Sequence, residues 1–248
     1  MADRFFTDQP LNLGEIVLDG AEAHHLAAVR RFVPGDTVTL FNGDGAEYPA
    51  EVLSAGKKQV VVVVQKRIEA NRELPFPLVI ASALPKGDRA DFLLEKLVEL
   101  GVTSFVPLIC ERSVVVPKEH KREKYERAVI EASKQCGRNR LMDVQPPCKF
   151  TEFVGRAMEG TKRILHTSLA ESASDGSVFS PLLALPANKT LTWLVGPEGG
   201  FTEEEVSLAI QNGWQPASLG PRILRIETAA IAAAAISMSA SATLATPS

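Results

Sequence analysis

The stretch Leu194-Val195-Gly196-Pro197-Glu198-Gly199-Gly200-Phe201-Thr202-Glu203-Glu204-Glu205 constrains this chain more than any other. It joins a short apolar run, residues 191–195, to a clear helix start. Thr202 and Glu205 have the capping-box spacing, in which hydroxyl and carboxylate each satisfy an orphan backbone N–H. Between them and the apolar run lie three glycines and a proline. Glycine permits positive φ and close approach to bare backbone, and proline stiffens the turn. In an open α/β sheet, a strand ending in such a turn is where small ligands bind. The spacing fits neither the dinucleotide fingerprint nor the phosphate loop, whose lysine is absent here. The turn therefore suits a ligand held by main-chain groups and not a triphosphate.

The rest of the chain divides by pattern. Residues 1–70 read as β-rich, with strands expected over 37–41, 48–53 and 59–65 and turn signals between them. Close strands with tight turns suggest a small barrel carrying one short helix over 21–30. The run 60–64 is all valine without alternation, which predicts a strand buried on both faces. Lys57 and Lys58 read as a solvated turn. Asn71 to Pro77 carries two prolines and a charge cluster and is the best linker. Beyond it strands alternate with helices, the signature of a parallel sheet. Strands are expected over 78–83, 105–109, 163–166, 191–195 and 217–219. Helices are expected over 88–100, from Pro117 to Gly137, and over 228–239. The segment 166–180, rich in Ser and Ala, reads as a loop. The last helix is almost wholly Ala, Ile and Met, so it must be buried in its own domain or against another subunit.

Composition excludes several classes. A net charge of −3 argues against non-specific nucleic-acid binding by the whole surface, so any such contact needs a local basic patch. Cys110, Cys136 and Cys148 are far apart with no CxxC pair, which fits a reducing compartment and disfavours zinc. The N-terminus has no signal-peptide pattern, and the longest apolar run, 229–236, is far short of a membrane span. The expectation is a cytoplasmic protein without membrane or metal.

Three candidate loops follow short strands in the last third: His166-Thr167-Ser168, residues 196–200, and residues 220–228. The third, Leu219-Gly220-Pro221-Arg222-Ile223-Leu224-Arg225-Ile226-Glu227-Thr228-Ala229, again follows a strand with Gly-Pro and precedes a helix. Two such turns are compatible with a shared ligand site or with plain strand-to-helix punctuation. Taken together, however, these two motifs resemble the C-terminal signature of the RsmE family. That family comprises bacterial 16S ribosomal RNA uridine-N3 methyltransferases of the SPOUT superfamily. The likeness extends through Arg4-Phe5-Phe6, His25-Leu26 with Val29-Arg30, Gly35-Asp36, Leu84-Pro85-Lys86-Gly87, Glu99-Leu100-Gly101-Val102, Glu111-Arg112-Ser113, and Glu131-Ala132 with Gln135 and Arg138.

The resemblance implies an α/β fold: a PUA-like β-barrel over residues 1–72 that binds RNA, then a SPOUT methyltransferase domain over 73–248. That domain would carry a deep C-terminal trefoil knot, an exception to the rule that chains do not thread loops. The resemblance also implies a homodimer acting on 16S ribosomal RNA or the small ribosomal subunit. S-adenosylmethionine would lie among three groups of residues. The first is Leu165, His166 and Thr167. The second is Val195, Gly196, Pro197, Glu198, Gly199 and Gly200. The third is Leu219, Gly220, Leu224, Arg225, Ile226 and Thr228. One departure from the family pattern falls in the first loop, Thr167-Ser168-Leu169-Ala170-Glu171, where the acidic residue lies further from the histidine.

Methyl transfer from a sulfonium needs an in-line nucleophile and neither a metal nor a covalent intermediate. A uridine imide is a weak acid, and a cation nearby favours its anion. Arg225 is the leading catalytic candidate and Arg222 the second, although both could be helix-flanking structural arginines. Glu198 or Glu227 could act as general base or simply complement a helix dipole. Between residues 118 and 140 eight Lys and Arg outnumber four Glu, a possible phosphate-positioning surface. Its first half, 118–127, reads better as a solvated helix face. RNA contacts are expected at Arg4, Arg30, Lys86, Arg112, Gln135, Arg138 and Arg222. His24 and His25 have no metal-ligand partners at useful spacing. The alternatives are a SPOUT enzyme with another RNA target and a non-catalytic RNA-binding protein. A dinucleotide-dependent oxidoreductase is disfavoured because no GxGxxG opens the α/β part.

Overall fold

A computed structural model of the chain describes residues 3–20, 26, 32–56, 59–117, 121–166 and 189–244. Apart from Leu26, the helix expected over 21–30, with His24, His25 and Arg30, lies outside the described residues. So do Arg31, Lys57, Lys58, Lys118, Thr167 and the Ser/Ala-rich loop beyond His166. The chain forms two compact units, one of Met1–Glu73 with Ile130–Leu141 and one of Leu74–Val129 with Met142–Ser248. The first unit therefore takes in a segment from the middle of the chain.

In the first unit, β1 (Arg4–Phe6), β2 (Gly14–Asp19), β3 (Thr37–Phe41), β4 (Ala46–Ala55) and β5 (Gln59–Val64) form a sheet in the order β1-β3-β4-β5-β2, and β6 (Ile68–Glu69) pairs with β4. The β1–β3 pair is parallel and the others are antiparallel. Phe5, Leu18, Val38, Leu40, Tyr48, Val52, Val60, Val62 and Val64 fill the core. Strand β5 corrects the sequence reading. Val60, Val62 and Val64 are buried while Val61 and Val63 are only half-buried, so the strand has one core face. Valine on both faces hides the period of two from the sequence.

An ionic network ties the segment Ile130–Leu141 to this sheet. Arg138 is 4% exposed and grips Glu73 with two nitrogens, Nε lying 3.1 Å from Oε1. One Glu47 oxygen accepts from Arg4 Nη1 and from Arg72 Nη1, each at 2.6 Å. Arg4 also donates to Asn139 Oδ1, and Arg72 to the Gly137 carbonyl.

The second unit is built on a sheet in the order β10-β8-β7-β12-β11-β13, every pair parallel. The strands are β7 (Leu78–Ser82), β8 (Ser104–Ile109), β9 (Asp143–Val144, parallel to β8), β10 (Cys148–Lys149), β11 (Thr161–Leu165), β12 (Leu191–Val195) and β13 (Gln215–Ala217). The helices are α1 (Arg89–Glu99), α2 (Arg122–Cys136, which continues into the first unit), α3 (Phe150–Val154), α4 (Glu203–Gln211) and α5 (Ile226–Leu244).

One face of the sheet packs Ile164, Leu194 and Ala81 against Phe153, Phe201 and Trp214. The other carries α1 and α5, with Trp193 donating to Ser237 on α5 at 3.0 Å. Helix α5 buries the stripe Ile226, Ala230, Ala233, Ala234 and Ser237, while Ile231, Ala235 and Ile236 stay half-buried and Met238 is exposed. Among the described residues no helix is long and apolar enough to cross a membrane.

Candidate active site

The sheet sequence runs outward from β7 through β8 to β10, then returns to the other side of β7 through β12. Such a reversal leaves a crevice outside the carboxyl ends of the strands. There the chain leaving β11, β12 and β13 lines one cavity of about 450 Å³, within the range of small-molecule sites.

Each wall has a local cause. After β12, the Gly200 N–H donates to the Pro197 carbonyl at 2.8 Å, closing a turn in which Gly200 has φ +70°. A Cβ on Gly196 would stand 3.1 Å from the Phe201 ring, tighter than ordinary packing, so glycine gives the aromatic side chain room beneath the turn. The capping box then starts α4: Glu205 N donates to Thr202 Oγ1 at 3.1 Å and Thr202 N to Glu205 Oε2 at 2.9 Å. The other Glu205 oxygen accepts from Glu111 N at 2.9 Å, so the cap also fixes the loop leaving β8. From that loop Arg112 Nη1 donates to the Gly199 carbonyl at 2.9 Å. After β13, Gly220 at φ +101° turns the chain, held by its N–H on Ser218 Oγ, and Arg225 O begins α5 by accepting from Ala229 N.

The cavity brings together Leu165, His166, Val195, Gly196, Pro197, Glu198, Gly199, Gly200, Leu219, Gly220, Leu224 and Ile226. Arg112 and Arg222, anticipated as RNA contacts, also line it. Arg225 and Thr228 do not: both are exposed, flanking the residues that do. Lys86 is exposed in the loop after β7, and Gln135 is exposed on α2. Arg4 and Arg138, both expected as RNA contacts, pair with Glu47 and Glu73, and Arg138 is buried.

Phe201, Glu203, Ser218, Ile223 and Ala229 also line the cavity, with Arg89 beside them, although no expectation from the sequence placed them there. Arg89 Nη1 lies 3.3 Å from Glu227 Oε1 and its Nη2 3.7 Å from Glu198 Oε1. The available signal was weak: the loop before Arg89 is another strand-to-helix turn, but nothing local tells that β7 neighbours β12. Cys110, close by, is no nucleophile. Burial first, and the Glu205 charge second, push its thiol up to about 12.

Residues 72–238 match the RNA methyltransferase domain family, and residues 18–65 match the RNA methyltransferase PUA domain. The ribosomal RNA small subunit methyltransferase E of Bacillus subtilis (strain 168) is 35% identical, covering 86% of this chain and 85% of its own length. The chain belongs to the RsmE family. The relative from Synechocystis is 37% identical over 86% of this chain and 69% of its own. Family membership gives the first unit its PUA-like character and the second its SPOUT-type parallel sheet. Solved structures agree. A methyltransferase of Legionella pneumophila in complex with the cofactor SAM has a TM-score of 0.86 at 35% identity, covering 97% of this chain and 98% of that one. The Neisseria gonorrhoeae ribosomal RNA small subunit methyltransferase E, bound to S-adenosyl methionine, has a TM-score of 0.85 at 32% identity, covering 96% and 98%.

Proposed function

We propose that this chain transfers a methyl group from S-adenosylmethionine to N3 of a uridine in small-subunit ribosomal RNA. The observation that carries the reading is the convergence of three strand-end turns on one cavity. The walls fit the donor. Leu165, Leu219, Leu224 and Ile226 offer apolar surface for a purine, and the turns 196–200 and 218–226 offer main-chain donors and acceptors for its polar edges. Gly200 and Gly220 have open space where a Cβ would stand, so bare backbone is accessible there. When bound, the donor supplies an electrophilic methyl on a sulfonium.

The chain's own residues do the rest. The apolar walls exclude water, and the turns fix the donor's orientation. Holding two reactants in line can supply as much as ~7–11 kcal/mol of the barrier. Arg222 and Arg225 flank the cavity with two cations that favour the imide anion of the incoming base. Glu198 is shared with Arg89, which argues for a positioning role over general base. Exposed Arg112, Arg222 and Lys86 meet phosphates on this unit, and Gln135 contributes from α2. The same reading takes in a homodimer through α5, a knotted passage of the chain around the cavity and a cytoplasmic location beside the ribosome.

Nucleoside mass spectrometry tests it. Small-subunit rRNA from a strain lacking this gene, incubated with the protein and donor, should gain 3-methyluridine at one position. Arg225→Ala should slow transfer about 10²-fold or more, the scale of losing one charge stabiliser, while donor affinity holds. A methyl group on another base or another RNA would refute the assignment.

A further inference from the structure

The segment leaving β7 brings a cation to the cavity's edge. It turns at Gly87 (φ +65°), passes Asp88 and starts α1 with Arg89. The Arg89 guanidinium reaches two carboxylates on two of the segments that form the cavity. Its nearer arm meets Glu227, whose side chain is 9% exposed and whose Oε2 is buried with no hydrogen-bond partner among the described residues. Its longer arm, at 3.7 Å, meets Glu198, which lines the cavity. Glu227 itself lies between Ile226 and Ala229, which also line it.

A carboxylate this buried needs its cation: without one it must neutralise or swing out, taking the first turn of α5 with it. The Glu198 arm, more than a third exposed, is weaker alone, but it shares a guanidinium already anchored. A planar fork can face two acceptors at once, and a lysine point charge cannot hold both.

We propose that Arg89 is a positioning residue of the donor site. It acts as a strap that keeps the Gly196–Gly200 turn and the start of α5 at a fixed separation, and so sets donor affinity without touching the donor. This rests on the reading of the cavity as a donor site. An arginine that only stabilised the fold would lower the melting temperature and leave a folded protein's affinity unchanged.

Two readouts on Arg89→Ala, Arg89→Lys and the double variant R89A/E227Q decide it: amide hydrogen exchange without ligand, and calorimetric titration of S-adenosylmethionine. Arg89→Ala should speed exchange in peptides covering 196–203 and 224–231. It should weaken donor binding about tenfold, within the usual range of coupling between neighbouring sites. Arg89→Lys should recover part of the affinity. The double variant, freed of the lone buried charge, should regain its melting temperature but not the affinity, because Glu198 remains untethered. Unchanged exchange and affinity in Arg89→Ala, or full recovery of affinity in the double variant, would overturn the proposal. If exchange responds as expected but wild-type protein binds no donor, the strap stands and the reading of the cavity falls.

Discussion

Both carboxylate oxygens of Glu205 are engaged, one with the Thr202 N–H and one with the Glu111 N–H. Losing Thr202's hydroxyl removes one cap bond, worth about 1 kcal/mol. Losing Glu205's carboxylate also strands the Glu111 N–H, which raises the cost to about 2–3 kcal/mol. Urea unfolding should therefore rank Glu205→Ala well below Thr202→Ala in stability. Equal losses would mean that the tie to the β8 loop contributes nothing. Cys110 is tested differently. With its thiol pushed up to about 12, it should resist iodoacetamide at mildly alkaline pH in the native protein and react once urea unfolds the chain. Native labelling at the rate of a free thiol would contradict the assigned environment.

Among the elements, the segment Ile130–Leu141 is secured to the first unit by charge. Burial alone would raise the Glu47 carboxyl, but the hydrogen bonds from Arg72 and Arg4 outweigh it and hold the group below its ordinary 4.5. A depressed carboxylate stabilises the fold at pH above the unfolded value, and that contribution is lost as pH falls through the folded value. Melting temperature should therefore drop as pH is lowered through and below about 4.5, and Glu47→Gln should be less stable at neutral pH with a flatter acid limb. An unchanged acid limb in that variant would place the sensitivity elsewhere.

Local chemistry was legible in the sequence and long-range pairing was not. The start of α4 could be read because Thr202 and Glu205 are three residues apart. Strand β12 could be read from a five-residue run with four apolar side chains. Strand β13 begins two residues before the expected 217, since Gln215 and Pro216 carry little strand propensity and owe their state to pairing with β11. The family likeness marks Arg138 for RNA, while its pairing with Glu73, 65 residues away, has no signal in the sequence. Arg89 escaped notice because its carboxylates come from loops after β12 and β13. The family motifs pointed to the cavity walls, and only coordinates separated Leu224, which lines it, from Arg225, which does not.

For the molecule as a whole, α5 poses the question that its composition raised. Its buried stripe satisfies β7, β12 and α1, leaving Ile231, Ala235 and Ile236 half-buried. A second copy of the chain is the proposed cover. Sedimentation at micromolar concentration should give twice the chain mass, and Ile231→Glu should shift it toward monomer. A monomeric wild type would remove that part of the account.

The central claim is that the turns after β11, β12 and β13 jointly hold a methyl donor. Calorimetric titration of S-adenosylmethionine into wild-type protein and a Leu224→Arg variant tests it most directly. Leu224 is only half-buried, so the variant should fold with the wild-type melting temperature while its side chain fills the cavity. The account predicts saturable binding at one donor per chain in the wild type and a loss of about thirtyfold or more in the variant, an effect of roughly 2 kcal/mol. Equal affinity in both proteins would contradict it.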